Sequence, residues 1–174
     1  MYQRLVVPLD GSEIAESALV EAENMAALTH APIHLVRVID LTSHDTFAVY
    51  GMMGDPSTVA MLLDDEVEAA TQYLESLSRR LTDQGHRVTS EIRRGQVANE
   101  LIAASRPGDL YVIASHGRSG IARWFMGSVA EEVVRRSTVP VLLTRALSYA
   151  GRQSGLSLAG AVTGQPPTDA VRSR

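Results

Sequence analysis

LYVIASHGRSGIARWFMGSVAEEVVRRSTVPVLLTR, residues 110–145, decides the fold. It opens on an apolar run, LYVIA, that reads as a strand buried on both faces. A loop follows, punctuated by Gly117, Gly120 and Gly127, and from Ser128 the spacing predicts a helix to about Ser137. The run VPVLLT, beginning at Val139 and ending at Thr144, reads as a second strand. Two strands joined through a helix are parallel neighbours, because only a long crossover returns the chain to the same end of a sheet. The loop itself suits an anion. Its glycines let backbone N–H groups turn inward, and the first turn of the helix carries unpaired N–H groups.

Working outward, the same alternation fills the rest of the chain. Residues 4–9 (RLVVPL) predict a strand whose Pro8 belongs at the carboxyl end, where no ladder donor is needed. Asp10, Gly11 and Ser12 form a turn able to start a helix, expected over residues 13–29 with Ile14, Ala18, Ala22 and Met25 on one face. Residues 33–39 (IHLVRVI) read as a strand. Residues 40–57 are mixed, with Gly51, Gly54 and Pro56, and are expected to form a mobile loop. Over residues 58–84, Val59, Leu63, Val67, Ala70, Leu74, Leu77 and Leu81 keep a helical rhythm for about seven turns. Residues 87–93 (RVTSEIR) predict an exposed or edge strand, and residues 97–105 a short helix closed by Pro107 and Gly108. The pattern β-α-β-α-β-α-β-α-β predicts an α/β fold, a doubly wound five-stranded parallel sheet with helices on both faces and strand order 3-2-1-4-5. Residues 146–174, rich in Gly, Ser, Ala and Pro, are expected to be a flexible C-terminal tail beyond a single domain at 1–145.

Composition narrows the chemistry. Cysteine is absent, and all 16 Lys+Arg residues are arginine. That excludes thiolate sites, a Walker-type phosphate loop and Schiff-base chemistry. A formal net charge of −4 argues against a nucleic-acid binder. No apolar run approaches the roughly 20 residues of a membrane helix, and the amino terminus runs straight into a strand. The expectation is a cytoplasmic protein without membrane contact.

In a doubly wound sheet, ligands bind beyond the carboxyl ends of strands where the strand order reverses. If the fourth strand lies beside the first, Asp10 and the glycine loop converge there. The layout VVPLDGS near the start and ASHGRSGIARWFMGSVAEEVVRRSTVPVLLTR near the end resembles the universal stress protein family over residues 3–145. ATP-binding members of that family carry G-x2-G-x9-G-[S/T]. The corresponding residues here are Ala114, Gly117, Gly127 and Ser128, so three of four match and the nine-residue spacing is kept. Ala114 replaces the first glycine and adds one methyl group, tolerable where φ is negative. The resemblance implies ATP, with Mg or Mn bridging its phosphates. Pro8, Leu9 and Asp10 would border adenine and ribose, and Val38 would meet the base. Ala114, Ser115, His116, Gly117, Arg118, Gly127, Ser128 and Val129 would surround the sugar and phosphates. It also implies a homodimer through the last strand, whose apolar edge invites pairing with another chain.

Each residue also has a plainer role. Asp10 suits a turn or helix cap, Ser128 with Glu131 a capping box, and His116 a structural hydrogen bond. Arg118 and Arg123 suit a solvated loop, and Trp124, Phe125 and Met126 packing against the body or a partner chain. Met52, Met53, Met61 and Leu62 fit a lid or a partner surface equally. No nucleophile–base pair or acid pair is recognisable, so the expected role is regulatory, through nucleotide-dependent conformation or partner binding, with slow ATP hydrolysis left open. The alternative is a nucleotide-free dimeric interaction module of the same fold.

Overall fold

The computed structural model describes residues 1–41, 55–115 and 127–145. Five parallel strands, β1 (Arg4–Pro8), β2 (Ile33–Ile39), β3 (Val88–Arg94), β4 (Asp109–Ser115) and β5 (Val141–Arg145), lie in the order β3-β2-β1-β4-β5. The expected topology is therefore observed. β1 is central because its residues Leu5, Val6 and Val7 are apolar on both faces and fully buried. The order reverses between β1 and β4, which align Leu5 with Leu110 and Val6 with Tyr111.

The helices α1 (Glu13–Glu16), α2 (Ala18–Thr29), α3 (Pro56–Asp83), α4 (Val97–Ala104) and α5 (Ser128–Arg136) cover two faces. Odd-numbered residues of β1 and β2, including Leu5, Val7, Ile33 and Leu35, pack with α2 and α3 residues such as Leu19, Leu74 and Leu81. Even-numbered Val6 and Val36 pack with Leu101 of α4 and with Ala130 and Val133 of α5. The period-2 alternation of strand side chains thus divides one sheet between two cores. The Tyr111 hydroxyl, buried in the second, donates to the Leu101 carbonyl.

Two expectations need correction, and one that holds acquires a limit. The helix predicted over residues 13–29 is broken at Ser17, whose hydroxyl donates to the Ile14 carbonyl at 2.6 Å while its N–H also reaches back to Glu13 and Ile14. This local bond competes with the helical ladder and closes α1 after four residues. The α3 rhythm holds throughout, but full burial is confined to Ala70, Leu74, Leu77 and Leu81. A helix of 28 residues is about 42 Å long against about 23 Å for a seven-residue strand, so its amino-terminal half extends past the sheet. The last strand begins at Val141, two residues later than expected: the Ser137 hydroxyl takes the Val139 N–H at 3.1 Å, and Pro140 has no N–H to give a ladder. The loop expected at residues 40–57 lies outside the described residues except for its ends, and the expected tail after Arg145 lies wholly outside them.

Candidate functional site

β1 ends at Pro8, which is level with Val36 of β2, and the next N–H, that of Leu9, still donates to the Val36 carbonyl at 2.8 Å. Proline therefore falls where the strand is about to leave the sheet, as expected. Leu9 is buried in the α2/α3 core, so only its backbone faces the end of the sheet. Asp10 comes next and is exposed. Its Oδ1 accepts the Ser12 N–H at 2.9 Å, forming a turn in which Gly11 takes φ +84°. Ser12 then caps α1, accepting the Ala15 N–H at 3.1 Å. The turn role anticipated for Asp10 is real and engages one carboxylate oxygen in that bond.

A second layer of this end was not anticipated from sequence. Arg37 follows Leu35 on the α2/α3 side of β2, and a methyl group placed on Gly11 would stand 3.7 Å from its Nη1. Partial burial pushes the Asp10 carboxyl up, but hydrogen bonding by Ser12 and the Arg37 charge outweigh it, leaving its pKa below the ordinary value. From α3, the Tyr73 hydroxyl donates to Glu16 Oε1 at 2.9 Å, joining the long helix to α1 beside the same turn. Burial and the Glu16 carboxylate push the Tyr73 pKa upward, so the phenol stays neutral. A charged residue at a core-facing strand position was the available signal for Arg37. Val38 points to the other face and packs against the α4/α5 core.

Across the order reversal, Ala114 and Ser115 finish β4, paired with Thr144 and Arg145 of β5. Ala114 is half-buried against the α2/α3 core, and His30 is the one non-glycine residue with positive φ among the described residues. The alanine that stands in for the first motif glycine therefore has ordinary strand backbone. The Ser115 hydroxyl donates to the Thr144 carbonyl at 3.0 Å, which commits it to the sheet. Past the loop, Gly127 is the residue that caps α5, with φ −55° and no side-chain acceptor. Ser128 is the first helical residue rather than the cap, so the capping box expected with Glu131 does not form, and among the described residues no side chain caps the first turn of α5. Ser128 and Val129 are exposed there.

The structure thus brings Pro8, Leu9, Asp10, Val38, Ala114 and Ser115 to one end of the sheet, and sets Gly127, Ser128 and Val129 at the start of the helix that follows β4. His116, Gly117, Arg118, Arg123 and the Trp124, Phe125 and Met126 run lie outside the described residues, as do Met52 and Met53; Met61 and Leu62 are exposed on α3. Among the described residues no group of three or more His, Asp or Glu stands ready for a metal ion, and no helix is long and apolar enough to cross a membrane.

This arrangement has relatives. Universal stress protein MJ0531 of Methanocaldococcus jannaschii is 29% identical over 147 residues, spanning 83% of each chain. Universal stress protein MJ0577 of the same organism is 30% identical over 155 residues, spanning 83% of this chain and 96% of that one. The solved MJ0577 structure superposes with a TM-score of 0.66 at 27% identity, over 83% of this chain and 96% of that one. A universal stress protein of Archaeoglobus fulgidus solved in complex with dAMP shares the fold at 16% identity and a TM-score of 0.54, over 82% of this chain and 97% of that one. The sequence model of the universal stress protein family matches residues 1–145, from ahead of the first strand to the end of the last strand of the sheet. The chain belongs to the universal stress protein family.

Proposed function

We propose that the protein binds ATP at the carboxyl ends of β1 and β4 and acts in the stress response as a cytoplasmic regulatory protein, signalling through nucleotide-dependent conformation or partner choice. The observation that carries this reading is the adjacency of β1 and β4, which sets Asp10 and the start of the glycine loop at one end of the sheet, facing each other across the order reversal. Asp10, ionised at neutral pH, suits a ribose hydroxyl. The first turn of α5, which no side chain among the described residues caps, suits phosphate oxygens, since helix N-terminal N–H groups and the helix dipole favour negative charge. The ordinary backbone of Ala114 supports tolerance of its methyl group. A magnesium or manganese ion would take oxygen ligands mainly from phosphates and water. The dAMP complex of the Archaeoglobus fulgidus protein supports the capacity of this fold for an adenine nucleotide. We further propose that residues 1–145 act as one nucleotide-binding domain with a flexible tail, in a homodimer joined through β5, one of the two edges of the sheet.

Calorimetry with ATP and magnesium tests the reading, with Gly127→Asp as the informative variant. At φ −55° an aspartate meets no backbone strain and is a favoured helix cap, so it should hold the fold while its carboxylate occupies the N–H groups offered to phosphate. Saturable heat in the wild type and its loss in the variant are expected. No heat with millimolar ATP in the wild type would refute the proposal and leave the nucleotide-free interaction module.

A further inference from the structure

The Asp10 turn is held from two sides. β1 holds one end through buried Leu9, whose N–H donates to the Val36 carbonyl at 2.8 Å, and α1 holds the other. α1 is the weaker support. It is four residues long and buries none of them, Ala15 being half-buried against the α2/α3 core. A single helical turn of that kind is marginal without outside contacts. Among the described residues, the one side-chain hydrogen bond from α1 to another element runs to α3, where the Tyr73 hydroxyl donates to Glu16 Oε1 at 2.9 Å. From Glu16 the bonds continue inward. Its N–H donates to the Ser12 carbonyl at 3.0 Å, and the Ser12 N–H donates to Asp10 Oδ1 at 2.9 Å. Hydrogen bonds in series therefore join α3 to the Asp10 carboxylate. The α3 end of the series is firm. Tyr73 precedes Leu74, which is fully buried, and its own half-buried ring packs against the α2/α3 core. We propose that Tyr73 is a positioning residue of the nucleotide site, anchoring α1 so that the Asp10 turn presents its carboxylate to a ribose hydroxyl, a role that rests on the nucleotide reading above. Burial and the Glu16 carboxylate keep the phenol neutral, so it retains the proton that the series needs. Phenylalanine would keep the ring and its packing and delete only the donor.

Two measurements on wild type, Tyr73→Phe, Glu16→Ala and Glu16→Gln test the role. Amide hydrogen exchange followed by NMR in the nucleotide-free protein reads the turn. Calorimetry reads affinity for ATP–magnesium and for 2′,3′-dideoxy-ATP–magnesium, which offers Asp10 no sugar hydroxyl. Tyr73→Phe should speed exchange of the Ser12 and Glu16 N–H groups relative to those of β1. It should also weaken ATP about five-fold, the worth of one hydrogen bond, and leave dideoxy-ATP unaffected. Glu16→Gln keeps an acceptor oxygen and should recover most of what Glu16→Ala loses. Tyr73→Phe combined with Glu16→Ala should be no weaker than the worse single variant, since both remove the same bond. Equal weakening of both nucleotides, or unchanged Ser12 exchange in a folded Tyr73→Phe protein, would overturn the positioning role while ATP binding stands. A wild type that binds no ATP would overturn the nucleotide reading and the positioning role together.

Discussion

Replacing Arg4 with methionine should destabilise the fold by about 3 kcal/mol, far more than a surface charge change would. Arg4 and Asp109 are register partners at the starts of β1 and β4 and make a two-pronged contact, Nη2 to Oδ2 at 2.7 Å and Nε to Oδ1 at 3.1 Å. The same Nη2 donates to the Ala104 carbonyl at 2.9 Å and so ties the end of α4 to the sheet. Asp109 is buried at 2% exposure and Arg4 keeps 13% of its side chain exposed. Without the guanidinium, Asp109 retains only the Arg106 N–H at 2.8 Å among these contacts, and its charge is stranded away from water. Breaking a buried pair from one side costs about 3–5 kcal/mol, and the partial exposure of Arg4 sets the expectation at the low end. For a domain of this size, that corresponds to a drop of roughly 6–12 °C in thermal midpoint. Urea denaturation followed by circular dichroism measures it, with an unchanged m-value showing that the same unit unfolds. The double variant Arg4→Met with Asp109→Leu should recover most of the loss, since an apolar pair of similar volume leaves no orphaned charge. A single-variant cost below about 1 kcal/mol, or a double variant no better than the single, would refute the reasoning.

His34 gives a pH signature. Burial and the Arg4 charge lower its pKa, outweighing the opposing pull of Glu91 and Asp109, while its ring contacts Thr89 Oγ1 at 2.8 Å and Glu91 Oε2 at 3.3 Å. The unfolded chain, titrating near 6.5, then binds more protons than the folded one as pH falls through that value, so stability is full above it and declines below it until the folded ring also titrates. His34→Gln should flatten this part of the stability–pH curve measured by urea denaturation, and an unchanged slope would rule the histidine out as its source. For assembly, sedimentation or light scattering at micromolar concentration should report a dimer, whereas a monodisperse monomer would remove the proposed β5 pairing.

The fold was legible because the central strands announced themselves twice, by an apolar run and by the turn that ended it. Leu5 to Val7 and Leu110 to Ile113 carry no charged residue, which is the mark of strands covered on both sides, and helical spacing between strands forces them parallel. What escaped sequence reading has local causes. Ser17 leaves the apolar rhythm of its helix intact while its hydroxyl takes the Ile14 carbonyl, so periodicity could not show the break. Val59, Leu63 and Val67 keep the same period as Leu74, and spacing carries no information about where the sheet beneath a helix ends. Serine outranks glycine as a cap, which pointed to Ser128, yet Gly127 takes the position. Asp10 was visible through its turn, whereas Arg37 and Tyr73 come to the same end of the sheet from β2 and α3, Tyr73 through its bond to Glu16, only when the sheet is assembled.

The placement of β1 between β2 and β4 has a consequence for the order of folding. As the chain leaves the ribosome, β1, β2 and β3 can pair with α2 and α3 already in hand, but the other edge of β1 must wait for β4, whose Asp109 closes a loop of more than one hundred residues back to Arg4. The two sides of the candidate pocket belong to these two instalments. Asp10 is made first and α5 near the end, so a ligand spanning the two would join parts that synthesis delivers far apart, and it would stabilise only the chain in which both are in place.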